Sequence, residues 1–179
     1  LFFSCNFINP RTIYKCKMNA KSYNQAVKDY SDRLLRFILK NLNKDVETAR
    51  DIVQNCFEAL WKNKDKVEVA KAKPFLFQVA HNQIVDVYRK GGRMLYVEDY
   101  HENAISDVPN TNDHKEIMHK VLESLPTLQR SMVLLKDYEG YSYAEIAKII
   151  NVTEGQVKIN LFRARKKLKE LMTSSQNKK

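Results

Sequence analysis

Residues 142–171 read SYAEIAKIINVTEGQVKINLFRARKKLKEL, and this stretch decides the fold. Ser142 stands before an apolar run with Glu145 three residues on. In that S-x-x-E pattern the two residues satisfy each other's orphan hydrogen-bonding groups at a helix start. The helix it opens carries Ala144, Ile146, Ala147, Ile149 and Ile150 toward a core. Asn151-Val152 interrupts the run, and Asn tolerates the left-handed backbone that a tight turn demands. Thr153 and Gln156 repeat the capping pattern and open a second helix. Two capped helices joined by so short a turn, with Ala147 small enough for a close crossing, make a helix-turn-helix.

In the second of these helices Val157, Leu161, Ala164, Leu168 and Leu171 form the inward stripe. Lys158, Asn160, Arg163, Lys166 and Lys167 point outward. Glu154, Gly155 and Gln156 occupy the helix start, the part that enters a DNA major groove in this motif. Asn and Gln suit adenine edges and Arg suits guanine, while Lys166, Lys167 and Lys169 lie further along, toward phosphates. A basic helix that merely caps a bundle carries the same periodicity. Both capping boxes at this spacing, with a basic outer face, favour DNA.

Upstream lies a second amphipathic system. Residues 45–63, DVETARDIVQNCFEALWKN, place Val46, Ala49, Ile52, Val53, Cys56, Phe57, Leu60 and Trp61 at three- and four-residue steps. Tyr23 to Leu42 shows the same rhythm, and PFLFQVAHNQIVDVYRK (74–90) opens on a proline tolerated in a first helical turn. These three helices form one compact block over 20–92. Residues 93–112 lose periodicity and read as a flexible acidic linker. A second block covers 113–172, with helices from His114 to Leu125 and from Thr127 to Tyr138, the latter closed by Gly140. The expected fold is all-α: two small helical domains joined by an acidic linker, the C-terminal one containing the helix-turn-helix. Residues 1–19 are expected to be a disordered extension, 1–17 of it upstream translated sequence, and residues 173–179 a disordered tail.

The net charge of +10 is uneven: residues 93–113 carry −4 and residues 150–179 carry +6. A basic C-terminal end suits a polyanion through counterion release. Three cysteines (Cys5, Cys16, Cys56) give no CxxC pair and no even disulfide framework, which fits a reducing cytoplasm. No apolar run is long enough for a membrane span. The histidines and carboxylates show no metal-ligand or catalytic spacing, so neither an enzyme nor a cofactor is expected.

With these residues on view, the chain resembles a sigma factor of bacterial RNA polymerase, of the small extracytoplasmic-function type, over most of residues 20–172. Residues 125–171 resemble region 4 through Leu125-Pro126, Glu139-Gly140-Tyr141-Ser142, Glu145-Ile146-Ala147, Val157-Lys158 and Arg163-Ala164-Arg165. The resemblance implies that this block binds the minus-35 promoter element and the flap of the polymerase β subunit. Its implied DNA contacts are Thr153, Glu154, Gln156, Lys158, Ile159, Asn160, Arg163, Lys166 and Lys167. Many members carry Ser-Arg where this chain has Ile159-Asn160, so no minus-35 sequence transfers; Ile159 suits a thymine methyl.

DIVQNCFEALWKN (51–63) is similar to the family's D-x-V-Q-E-x-F-x-x-x-W stretch, which docks on the β′ clamp coiled coil of core polymerase. Asp51, Gln54, Phe57, Glu58 and Trp61 match, and Asn55 departs. By periodicity Phe57 and Trp61 face the core, whereas Asp51, Gln54 and Glu58 share the polar side. PFLFQVAHNQIVDVYRK resembles the region that opens and reads the minus-10 element. Ala80, Asn82 and Asp86 match the A-R-N-x-x-x-D pattern, and His81 replaces the Arg. Asn82, Tyr88, Arg89 and Lys90 are the implied minus-10 contacts, with Lys64–Lys71 as the loop that captures a flipped base. An anti-sigma factor is a further implied partner. The rival reading is a stand-alone regulator that binds an operator as a dimer through the same motif.

Overall fold

The computed structural model describes residues 17–42, 45–90 and 114–176. Residues 1–16, the linker over 93–112 and residues 177–179 fall outside them. Seven α-helices carry the described chain: α1 Ala20–Asn41, α2 Val46–Lys62, α3 Ala72–Lys90, α4 His114–Glu123, α5 Thr127–Val133, α6 Tyr143–Ile150 and α7 Glu154–Gln176.

The first block is built from α1, α2 and α3, each packed on the other two. Asn19 caps α1, accepting from Ser22 N (2.9 Å) while Ser22 Oγ accepts from Asn19 N (2.9 Å). Asp45 caps α2 by accepting from Thr48 N, and hydrogen bonds from the Thr48 side chain and then its backbone hold the Asp45 carboxyl below the usual carboxylate range. Order begins earlier than residue 20. Met18 is buried, and Lys17 makes an isolated antiparallel bridge with Glu68. At the other end α7 continues to Gln176, past the boundary at 172.

In the second block α5 runs into a π-helical turn, Leu134–Tyr138. The Glu139 N–H reaches back five residues to Leu134 O (3.1 Å), and Gly140 then takes the left-handed φ of 77° that ends the helix. Asn151 adopts φ 60° at the end of α6, where Val152 N closes on Ala147 O (3.0 Å) in a Schellman-type turn.

The two blocks do not hang apart on a tether. α3 packs on α6, and α1 packs on α4 and α5. One continuous apolar core runs through both blocks. Its spine is aromatic: Phe37 of α1 meets Phe77 of α3 edge-on (5.2 Å), and Phe77 meets Tyr141 of the second block (5.9 Å).

Candidate nucleic-acid interface

The helix-turn-helix forms as its caps require. Ser142 Oγ accepts from Glu145 N (3.3 Å) and Glu145 Oε2 accepts from Ser142 N (2.8 Å). Thr153 and Gln156 repeat the exchange at the start of α7, at 3.2 and 2.9 Å. Ile146, Ala147, Ile149 and Ile150 of α6 are buried, as are Val157, Leu161 and Ala164 of α7. Ala144, expected inward, is exposed, because it lies one residue past the edge of the α6 apolar stripe.

The outer face of α7 is open. Thr153, Glu154, Gln156, Lys158, Ile159, Arg163 and Lys166 are all exposed. Lys158 pairs with Glu154 (3.1 Å) and Lys166 with Glu170 (3.9 Å). Such exposed pairs contribute little and exchange readily for phosphate. Asn160 is half-buried and donates to Gln156 O (2.8 Å), so its amide is partly committed to its own helix. Lys167 departs from expectation. It is half-buried, and its ammonium donates to Ser124 O (3.0 Å) beyond the end of α4. Arg165 is exposed and pairs with the exposed Asp137 (2.6 Å), which ties α7 to the π turn at the surface.

Sequence reasoning missed Phe162. It is the most exposed large apolar side chain of the described residues (71%) and lies one turn from Ile159 (52%). The signal was present, since Phe162 falls beside the Val157–Leu161–Ala164 stripe rather than in it.

In the first block α2 presents Asp51, Gln54 and Glu58 together on one exposed strip, with Gln54 Nε2 donating to Glu58 Oε1 (3.1 Å). Phe57 is buried, as its periodicity predicts. Trp61 is not: it is 40% exposed, stacked edge-on against Tyr23 (4.9 Å) and covered by the Lys64 ammonium (4.3 Å). Asn55, the departure from the family pattern, donates to Gln83 Oε1 of α3 (3.2 Å). On α3, Asn82, Arg89 and Lys90 are exposed, and Arg89 pairs with Asp86 (2.9 Å). Tyr88 is half-buried and its hydroxyl donates to Asn41 O at the end of α1, so it is bound up in packing.

His81, which stands where the family has Arg, is buried, and its Nδ1 has no hydrogen-bond partner among the described residues. Burial pushes its pKa from the ordinary 6.5 down to about 4. Between those values the unfolded chain binds a proton that the folded chain refuses. Stability is therefore full above pH 6.5 and falls as the pH drops toward 4. We expect a loss of roughly 2 kcal/mol at pH 5 relative to pH 7.5. Urea midpoints across that range will check it, and His81→Leu should flatten the dependence.

Comparison with known proteins agrees with this geometry. The family model described as sigma-70 region 2 matches residues 27–94, and sigma-70 region 4 matches residues 115–168. The ECF RNA polymerase sigma factor SigM of Bacillus subtilis is 30% identical over 153 residues, covering 83% of this chain and 93% of that protein. Among solved structures, the sigma factor RpoE in complex with the anti-sigma factor NepR from Bartonella quintana superposes with a TM-score of 0.68 at 25% identity. That match covers 86% of this chain and 98% of the other. CnrH, solved in complex with the cytosolic domain of CnrY, shares the fold at a TM-score of 0.64 and 22% identity, over 87% of this chain and 90% of the other. With both regions matched, and with their helices in place around one core, the chain belongs to the ECF sigma factors of RNA polymerase, which are transcription-initiation factors.

Proposed function

We propose that this chain carries core RNA polymerase to promoters by a two-point grip, with α3 at the minus-10 element and α7 at the minus-35 element. The observation that carries the reading is the pairing of two surfaces on one short chain. One is the exposed outer face of α7, rich in donors and cations. The other is the Asp51–Gln54–Glu58 strip of α2. Asp51, Gln54, Glu58 and Trp61 bear on the β′ clamp coiled coil, with Phe57 shaping the helix from beneath. The second block reaches the β flap. Asn82, Arg89 and Lys90 meet the minus-10 strand, while Tyr88 serves it only if its bond to Asn41 is given up. On α7, Gln156, Ile159, Phe162 and Arg163 face bases, and Lys158 and Lys166 face phosphates.

The chain acts in the cytoplasm beside the polymerase, and no helix among the described residues is long and apolar enough to cross a membrane. An anti-sigma protein is the proposed regulator, by analogy with the NepR-bound relative. The stand-alone operator-binding dimer is not favoured, because nothing in that reading accounts for the polar strip of α2.

Pull-down with core polymerase followed by promoter-specific run-off transcription tests the assignment, and failure to bind core would sink it. Gln54→Ala with Glu58→Ala is expected to weaken core binding about tenfold, the scale of two or three lost interfacial hydrogen bonds at roughly 0.5 kcal/mol or more each. Binding of the same variant to an isolated minus-35 duplex should not change. If duplex binding falls as well, the variant has misfolded and the strip is structural.

A further inference from the structure

An amide side chain reads adenine by offering its oxygen and its nitrogen together. Neither amide at the start of α7 can do so while its bonds within the protein stand. Gln156 Oε1 accepts from Thr153 N (2.9 Å) and from Thr153 Oγ1 (3.1 Å), so its oxygen is taken up by the helix cap. Asn160 Nδ2 donates to Gln156 O (2.8 Å), and Gln129 Nε2 of α5 faces its Oδ1 at 3.5 Å. Asn160 is therefore a positioning residue, which ties the reading helix to α5. Lys158, on the same turn as Asn160, pairs with Glu154 (3.1 Å).

What stands outermost is apolar. Gly155, Ile159, Phe162 and Lys166 follow one another at steps of four, three and four residues, which sets them on one line along the helix. That line lies opposite the buried Val157, Leu161 and Ala164, and both Ile159 and Phe162 are more than half exposed. Two such side chains on a DNA-facing surface gain only where something apolar covers them. In the major groove that group is the 5-methyl of thymine, and the other base edges there are hydrogen-bonding groups. A cytosine methylated at C5 carries the same methyl on the same ring carbon. Many family members have Ser-Arg in place of Ile159-Asn160, so the apolar line and the tied amide come together in this chain.

Gly155 lets this line come close to the bases. A methyl group at Gly155 would meet only Thr153 Oγ1, 3.9 Å away, so the fold itself does not require glycine there. The missing side chain leaves the first turn of α7 flat, one turn ahead of Ile159, and backbone can then approach a base edge. From Ile159 to Phe162 the helix rises about 4.5 Å. That lies between one and two base steps of about 3.4 Å, so the pair spans neighbouring base pairs.

Resting on that promoter-grip reading, we infer that Ile159 and Phe162 are a methyl reader within the minus-35 contact, selecting the 5-methyl groups of neighbouring pyrimidines, so that methylating a cytosine at either position strengthens recognition by this chain.

The test starts from a promoter duplex enriched out of a random-sequence library by the full chain bound to core polymerase. Replacing thymine by uracil, one position at a time, should weaken binding about fourfold at one or two neighbouring pairs, the size of one buried methyl group. At those pairs 5-methylcytosine should bind about fourfold tighter than cytosine. Ile159→Ala and Phe162→Ala should each erase the methyl dependence at one pair and leave the urea midpoint unchanged, since both side chains are exposed. Gly155→Leu should abolish the preference for the enriched duplex over a scrambled one without lowering the midpoint. Thymine and uracil binding alike at every position would overturn the reader. So would a methyl dependence that survives Ile159→Ala with Phe162→Ala, or an intact preference in Gly155→Leu. If the chain with core polymerase enriches no duplex, the promoter-grip reading fails instead. The full chain alone is then given the library made with thymine or with uracil throughout, and enrichment from the thymine library only upholds the reader, while any other result overturns it.

Discussion

Arg130→Ala is expected to cost this protein about 3–5 kcal/mol of stability, the scale seen when one side of a buried, charge-assisted hydrogen-bond set is removed. The reason lies in the acceptors rather than in the cation. The carbonyls of Leu122, Glu123, Leu125 and Asn41 lose a donor at once, in a place where Arg130 itself is 4% exposed and water has little access. Against a typical total of about 5–15 kcal/mol, such a loss leaves the variant partly unfolded near physiological temperature. Urea denaturation should show the midpoint falling by at least a third. Arg130→Lys should recover only a fraction, because an ammonium is a point donor and cannot span carbonyls that a planar fork reaches in several directions. A loss under 1 kcal/mol for Arg130→Ala would mean that water reaches the freed carbonyls, and the contact between the blocks would then be weak.

What the sequence discloses and what it conceals divide along a physical line. Caps and turns are local, so Ser142–Glu145, Thr153–Gln156, Gly140 and Asn151 all take the conformations their types prescribe. Periodicity is also local, and it correctly assigns Val157, Leu161 and Ala164 to the core. The errors arise where a side chain's partner lies far along the chain. Trp61 falls on an apolar stripe, yet the stripe is wider than the neighbours that cover it, and Tyr23 and Lys64 shield only part of the ring. Lys167 reads as an outward cation, yet Ser124, 43 residues away, takes its ammonium and leaves the side chain half-buried. Nor does any window around Tyr88 show that its hydroxyl is bonded to Asn41, 47 residues away.

The contact between the blocks belongs to the same class. Arg130, Ser131 and Glu139 read as ordinary polar residues of a helix end, because their acceptors on α1 and α3 are not encoded in any window around them. An acidic stretch between two helical patterns gives no hint that the patterns share one core. Family resemblance carries the function across this gap, but it does so for matched positions only. It says nothing of Phe162 or of the polar contacts between the blocks.

The Arg163→Ala variant is expected to lower affinity for the minus-35 duplex by 10- to 100-fold, the range for one bidentate contact to a guanine edge. Arg163 is exposed on α7, one position beyond Phe162 and four beyond Ile159, so all three share the outward side at the turn that follows the helix start. Lys166 lies three residues further on and pairs only loosely with Glu170 (3.9 Å), which marks it for backbone contact. Two measurements separate these roles. Lys166→Ala should weaken every duplex by the same few-fold factor and reduce the salt slope of log K by about one. Arg163→Ala should instead flatten the preference at one base pair, leaving scrambled duplex binding nearly unchanged. If Arg163→Ala weakens specific and scrambled duplexes equally, the guanidinium grips phosphate. The burden of specificity then falls on Gln156, Ile159 and Phe162. In that outcome thymine-to-uracil replacement becomes the sharper probe, because removing a methyl group touches only the apolar pair and leaves every hydrogen bond of the duplex in place.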